Sequence, residues 1–245
     1  MIVNHKYRFI FVKTMKTAST SIEIALSQYC GPEDIVSRLG WRDEPKRLDL
    51  GYQGPANYLI PKNQYTRQDW AHYLRHAPHR IRRSLSGRRG DVRKEVSFYN
   101  HMPARAMRDR LDPDVWNGYL KFCFERNPWD RAISAYYWEN RSKKKLPDFY
   151  GYLEELQRRN LISNFPIYSI DGRIAVDRVL RYEKLDSELP KLAETLGLPG
   201  PLTPARAKQQ FRKDRRPYRE VYTEREREFV AAACAREISE LGYTF

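Results

Sequence analysis

The stretch "FIFVKTMKTASTSIEIALS", residues 9–27, constrains the fold more than any other part of the chain. Its apolar run predicts a buried strand over residues 8–12. Ile22, Ala25, Leu26 and Tyr29 then recur at i, i+3, i+4 and i+7, the spacing of one helix face. Cys30-Gly31-Pro32 ends that helix. The connection between strand and helix carries two lysines and several hydroxyls but no glycine. A strand that delivers a lysine and backbone amides to a helix N-terminus is an anion-binding arrangement. The Walker spacing GxxxxGK[ST] that marks many such turns is absent.

A second unit of the same kind follows in "YLKFCFERNPWDRAISAYYWE", which predicts a strand over 119–125 and a helix from about 129. A short helix in "MPARAMRDRLDPDVW" precedes it, ended by Asp112-Pro113, and a third strand is expected over 175–182. Ser187 is expected to cap a helix running to Leu196 and stopping at Gly197. The last helix opens on a capping box, Thr223 with Glu226, carries Phe229, Val230, Ala233, Cys234, Ile238 and Leu241 on one stripe, and ends at Gly242. This alternation predicts an α/β chain with a P-loop-like, three-layer fold: a central, mainly parallel sheet flanked by helices on both faces. At 245 residues it fits a single domain, 1–245. Residues 31–96 are expected to form an irregular, basic insertion with short helices at best.

In a parallel sheet, ligands collect at the carboxyl ends of strands. Two polar turns fall there. Arg126 ends one strand and Ser134 lies two turns into the next helix, so a guanidinium and a hydroxyl can share one phosphate. Lys16, with the turn amides and the hydroxyls of Thr17, Thr20 and Ser21, can hold another. Two such sites suggest one ligand with two separated phosphate groups. Read singly, each piece has a plainer meaning: a solvated lysine, hydroxyls serving as N-caps, Asp130 and Arg131 as a surface pair.

The charge balance is 45 Lys and Arg against 31 Asp and Glu, a net +14. It calls for an anionic partner or a self-repelling surface and does not choose among nucleic acid, acidic polysaccharide, phosphorylated cofactor and membrane face. Cys30, Cys123 and Cys234 are far apart without CxxC spacing, so neither a disulfide framework nor a zinc site is indicated. No apolar run reaches the length of a membrane span, and the first residues do not read as a signal peptide; the compartment expected is the cytosol.

The segment "MKTASTSI", residues 15–22, resembles the P-K-T-G-G-T-S-I phosphosulfate loop of sulfotransferases, and "FERNPWDRAISAYYW" resembles their F-x-R-N-P-x-D-R-x-x-S-x-Y motif. Weaker likenesses to the carbohydrate-type members follow in order in "NHMPARAMRDRL", "VLRYEKL" and the final 24 residues, "YTEREREFVAAACAREISELGYTF". The resemblance implies metal-free sulfuryl transfer from 3′-phosphoadenosine 5′-phosphosulfate (PAPS) to a hydroxyl or amine. It implies that Lys16 binds the phosphosulfate and stabilises the leaving oxygen, that Thr17, Ala18, Ser19, Thr20 and Ser21 complete the cradle, and that Arg126 and Ser134 hold the 3′-phosphate. Arg181, Arg216 and Tyr218 are further candidate nucleotide contacts, with a solvated or salt-bridged reading beside each. His101, similar in position to the histidine region of heparan sulfate 2-O-sulfotransferases, is the leading general base, with His72 and Asp69 as alternatives. His5, His76 and His79 read as solvated.

Met15 replaces the family's proline, and Ala18 with Ser19 its glycine pair, which is tolerable if the loop enters the helix with ordinary dihedrals. Glu125 stands where apolar residues are common. The acceptor is expected in the insertions, 31–96 and 140–170, and the basic character suggests an anionic glycan or another hydroxyl-bearing molecule. A P-loop kinase and a basic nucleic-acid binder are the competing functions. The first lacks its glycines and a magnesium-binding acid pattern, and the second lacks a recognisable binding motif, which makes nucleic acid the less favoured partner.

Overall fold

The computed structural model describes residues 1–75, 96–204 and 216–245. Its strands are β1 (Ile2–Asn4), β2 (Phe9–Phe11), β3 (Ile35–Val36), β4 (Leu120–Glu125), β5 (Ser169–Ile170), β6 (Arg173–Ile174) and β7 (Arg178–Arg181). β5 and β6 form a small hairpin, and the other five make one sheet in the order β3-β1-β2-β4-β7. β2, β4 and β7 are parallel, whereas β1 is antiparallel to both β2 and β3, so four of the five strands run in one direction.

The helices are α1 (Ser19–Ser27), α2 (Glu44–Asp49), α3 (Arg67–Arg75), α4 (Ala104–Arg108), α5 (Pro113–Gly118), α6 (Pro128–Glu139), α7 (Phe149–Arg158), α8 (Phe165–Tyr168), α9 (Leu185–Thr195), α10 (Glu224–Ala233) and α11 (Ala235–Leu241). Side chains alternate across each strand, and the two faces bury different partners. Phe9, Phe11, Phe122, Phe124 and Leu180 pack on Ile22 and Leu26 of α1 and on Leu189 and Leu192 of α9. Val3, Ile10, Val12 and Cys123 face Met102, Met107, Trp116, Phe165 and Tyr168. Each fully buried aromatic or aliphatic side chain contributes about 2 kcal/mol, so these two layers hold the sheet. A third cluster packs α6 and α7 against α10 and α11 through Trp129, Ile133, Tyr136, Leu153, Leu156, Val230 and Cys234.

The structure corrects several local expectations. β1 turns back on β2 as a hairpin within residues that read only as a charged N-terminal segment. Asp112 does not merely end a helix: its carboxylate accepts from the Asp114 amide at 2.7 Å and caps α5, with Pro113 at the first position. Ser187 is not a cap, because α9 already begins at Leu185 after a 3-10 turn, and its hydroxyl donates back to the Lys184 carbonyl. The capping box of Thr223 and Glu226 forms as expected, but its helix breaks at Cys234 into α10 and α11.

The 31–96 insertion is more regular than its composition suggests. β3 extends the sheet, Val36 exchanges backbone hydrogen bonds with Ala56, and α3 runs for nine residues. Of its basic run, residues 75–94, all but Arg75 lie outside the described residues.

Lys13 follows β2 and is only 2% exposed. Its ammonium lies 2.7 Å from Glu23 Oε2 on α1 and donates to Asn100 Oδ1 at 3.0 Å. Burial alone would raise the Glu23 carboxyl, but the Lys13 ammonium beside it is the main charge that holds it down, at about 2. Removing the cation strands a buried carboxylate. Lys13→Met is therefore expected to lower unfolding stability by about 3 kcal/mol in urea titration; an unchanged midpoint would contradict this role.

Candidate active site

β2 and β4 are neighbours in parallel register, so the turns that leave their carboxyl ends lie side by side. The pairing extends past the strands: the Val12 amide donates to the Phe122 carbonyl at 2.9 Å, and the Thr14 hydroxyl donates to the Phe124 carbonyl. Thr14 Oγ1 and Thr17 Oγ1 are 2.9 Å apart, and because the Thr14 proton is already committed, Thr17 is the donor between them. Ser19 Oγ donates to the Thr14 carbonyl at 2.7 Å. The hydroxyls of Thr17 and Ser19 thus shape the loop, and their main-chain amides are the groups left to meet an anion.

Lys16 and Ala18 both have positive φ, 63° and 57°. The expectation of ordinary helix-entry dihedrals fails at Ala18, which sits in the left-handed region as the residue before α1. Left-handed residues at alternate positions turn successive amides to one side and make a concave nest for an anion. Helix α1 starts immediately afterwards with no acidic residue in its first turn and no side-chain cap. Its positive end is open to an anion, beside Thr20, half-buried, and Ser21, buried.

The second turn is built by its own motif. Asn127 Oδ1 accepts from the amides of Trp129 at 3.1 Å and Asp130 at 3.4 Å, and Pro128 fills the first helical position of α6. The Asn127 amide donates to Glu183 Oε1 at 2.6 Å. Arg126 Nε and Nη2 fork onto Asp130 Oδ2 at 2.8 and 2.6 Å, Nη1 donates to the Lys16 carbonyl at 3.3 Å, and the guanidinium lies 4.2 Å from the Tyr182 ring centre. Asp130, Ser134 and Trp138 lie on one stripe of α6, with Arg126, just before the cap, paired to Asp130. At its far end the Lys16 ammonium is 4.9 Å and the Arg141 guanidinium 4.0 Å from the Trp138 ring centre. Half-buried Ser134 lies between Asp130 and Trp138 on that stripe. Asp130 and Arg131 are not a surface pair: Arg131 is buried and donates to the Ile162 carbonyl.

His101 packs against the chain just after β2. It sits in a turn with φ 61°, and its Nδ1 lies 3.1 Å from the Lys13 carbonyl. A carbonyl only accepts, so Nδ1 carries the proton and the lone pair is on Nε2. Burial first, and then the charge of Lys13, push its pKa down to about 4.

The remaining candidates separate. The Arg181 guanidinium turns to the Leu241 carbonyl at the end of α11 and lies 5.0 Å from the Tyr243 ring centre. Tyr218 receives a hydrogen bond from Asn127 Nδ2 at 3.2 Å, which puts it behind the Arg126 turn. Arg216 is exposed at the edge of 205–215, which lie outside the described residues. Asp69 accepts from Thr66 and pairs with Arg110 at 2.6 Å, so its carboxylate is committed to these partners and held below its usual range despite burial. The His72 side chain, His76 and His79 lie outside the described residues, and His5 is half-buried, 2.9 Å from the Tyr119 hydroxyl. Among the described residues no cluster of His, Cys, Asp and Glu could hold a metal, and no helix is long and apolar enough to cross a membrane.

Sequence reasoning missed Trp138 as the neighbour of Lys16, and Asn164 altogether. It flagged Glu125 without an account of it. Glu125 is 0% exposed, and burial, only partly offset by Arg131, raises its carboxyl to about 7.

A sequence profile described as the Sulfotransferase family matches residues 1–241. The chain belongs to that family, whose members transfer sulfuryl groups. An uncharacterized protein of Archaeoglobus fulgidus is 36% identical over 104 residues, 40% of this chain and 84% of that one. The crystal structure of a sulfotransferase from Alicyclobacillus acidocaldarius aligns over 97% of this chain and 96% of its own, at 17% identity and a TM-score of 0.46.

A left-handed alanine costs about 1–2 kcal/mol that glycine does not incur. Ala18→Gly is expected to raise unfolding stability by about 1 kcal/mol, read as a higher Tm. A fall in Tm would show that the Ala18 methyl matters more than the backbone strain.

Proposed function

We propose that this chain is a PAPS-dependent sulfotransferase that acts on a hydroxyl acceptor, with an anionic glycan the favoured class, and that residues 1–245 work as one domain. The observation that carries the reading is the meeting of the two turns, where Arg126 donates to the Lys16 carbonyl and the Lys16 ammonium lies against Trp138 of the helix that also carries Ser134. The amides of residues 17–21 with Lys16 suit a phosphosulfate, and Arg126 with Ser134 suits a 3′-phosphate. The donor supplies an electrophilic sulfur and a phosphate leaving group. Lys16 would meet the negative charge that develops on the departing oxygen. His101 Nε2 would accept the proton of the attacking hydroxyl, while the Lys13 carbonyl keeps the ring in that tautomer. Arg181 and Tyr218 would act behind the site, through the C-terminal helix and the Asn127 turn.

Calorimetric titration with adenosine 3′,5′-bisphosphate is expected to show saturable, magnesium-independent binding that Lys16→Ala weakens at least about tenfold. No binding, or a strict need for magnesium, would count against the reading. His101→Ala should keep this affinity and lower transfer to a hydroxyl acceptor by about 10²–10⁴-fold. Because the base must be unprotonated and His101 titrates at about 4, kcat/KM should stay level as pH falls through 6.5 and decline only near 4. A decline centred near 6.5 would point to another base.

A further inference from the structure

The loop that carries Lys16 has two left-handed residues and no glycine, so something outside the loop must hold it. Asn164, 0% exposed and just before α8, makes that contact. Its Oδ1 accepts from the Met15 amide at 3.0 Å, and its Nδ2 donates to the Met15 carbonyl at 3.0 Å. One carboxamide thus takes both main-chain groups of the residue before Lys16, as a neighbouring strand would. Nδ2 also donates to Glu125 Oε1 at 3.0 Å, and the same oxygen accepts from the Arg126 amide at 2.9 Å.

We propose that Asn164 and Glu125 form a buried latch that sets the Lys16 loop against Arg126, which makes Asn164 a positioning residue of the donor site. The chain of contacts runs from Met15 through Asn164 and Glu125 to the backbone of Arg126, so it joins the two anion-binding turns independently of the Arg126 side chain. The latch is itself anchored. Glu237 of α11, 1% exposed, accepts at Oε1 from Ser163 Oγ at 2.6 Å and from the amides of Asn164 at 3.0 Å and Phe165 at 3.3 Å. Arg131 of α6 faces Glu125 Oε1 at 3.9 Å. The C-terminal helix is thereby connected to the loop at the opposite end of the sequence.

The inference rests on the donor-site reading for its effect on binding, but the latch has a readout of its own. Backbone hydrogen exchange over residues 13–21 in the ligand-free chain should accelerate at least about tenfold in Asn164→Ala, with exchange in β4 and β7 unchanged. The affinity for adenosine 3′,5′-bisphosphate should fall at least about tenfold, since misplacing the loop by about 1 Å is enough to lose binding geometry. Asn164→Asp sets a second carboxylate against Glu125 and removes the donor. The Met15 carbonyl then has no donor, so Asn164→Asp should show both losses as Asn164→Ala does. If Asn164→Ala does not fold, Asn164→Ser, which is too short to reach both Met15 groups, is read in its place. Lower stability with unchanged loop exchange and affinity in these variants would overturn the latch. Failure of the wild-type chain to bind the bisphosphate would sink the donor reading and leave the exchange measurement to decide the latch.

Discussion

The parallel pairing of β2 with β4 is the constraint on which the site depends. A parallel pair aligns carboxyl ends, so the lysine turn after one strand and the arginine turn after the other emerge together. Phe9, Phe11, Phe122 and Phe124, all without exposure, fix that pair from one face. Thr14 then carries the pairing beyond the last strand residue by donating to the Phe124 carbonyl. A shift of one residue between these strands would turn the phenylalanines to the other layer and separate Lys16 from Arg126.

The cations at this junction already have partners. Arg126 lies against Asp130 and Tyr182, and the Lys16 ammonium lies against Trp138. Half-buried charges need such company, because an uncompensated one is costly away from water. In the proposed reading an incoming dianion would compete with these contacts and gain donors from α1 and the loop. Lys13 has a different part: its ammonium is committed to Glu23 and Asn100, while its carbonyl sets the tautomer of His101. In the proposed reading, two lysines three residues apart thus divide the work between holding the turn and facing the ligand.

Much of this was legible in the sequence where the signal is local. The strand, turn and helix around Lys16, the second strand with its helix from about residue 129 and the Thr223–Glu226 capping box follow from neighbouring residues. β1 and β3 were hidden because three-residue and two-residue strands show no periodicity. The strain at Ala18 was hidden because its cause is tertiary: the loop is held by Thr14 and by Asn164, 149 residues away from Met15. Glu125 looked out of place in an apolar strand because its partner Asn164 lies in a segment without a pattern of its own. Arg181 looked like a ligand contact, whereas the chain end folds back and occupies it.

The central claim is that the two turns form one clamp for a ligand with two separated phosphates. Titrating adenosine 3′,5′-bisphosphate and adenosine 5′-monophosphate against the wild-type chain and Arg126→Ala tests it most directly. The account predicts that the wild-type chain prefers the bisphosphate at least about tenfold and that Arg126→Ala removes this preference. Equal affinities for the two nucleotides in the wild-type chain would contradict it.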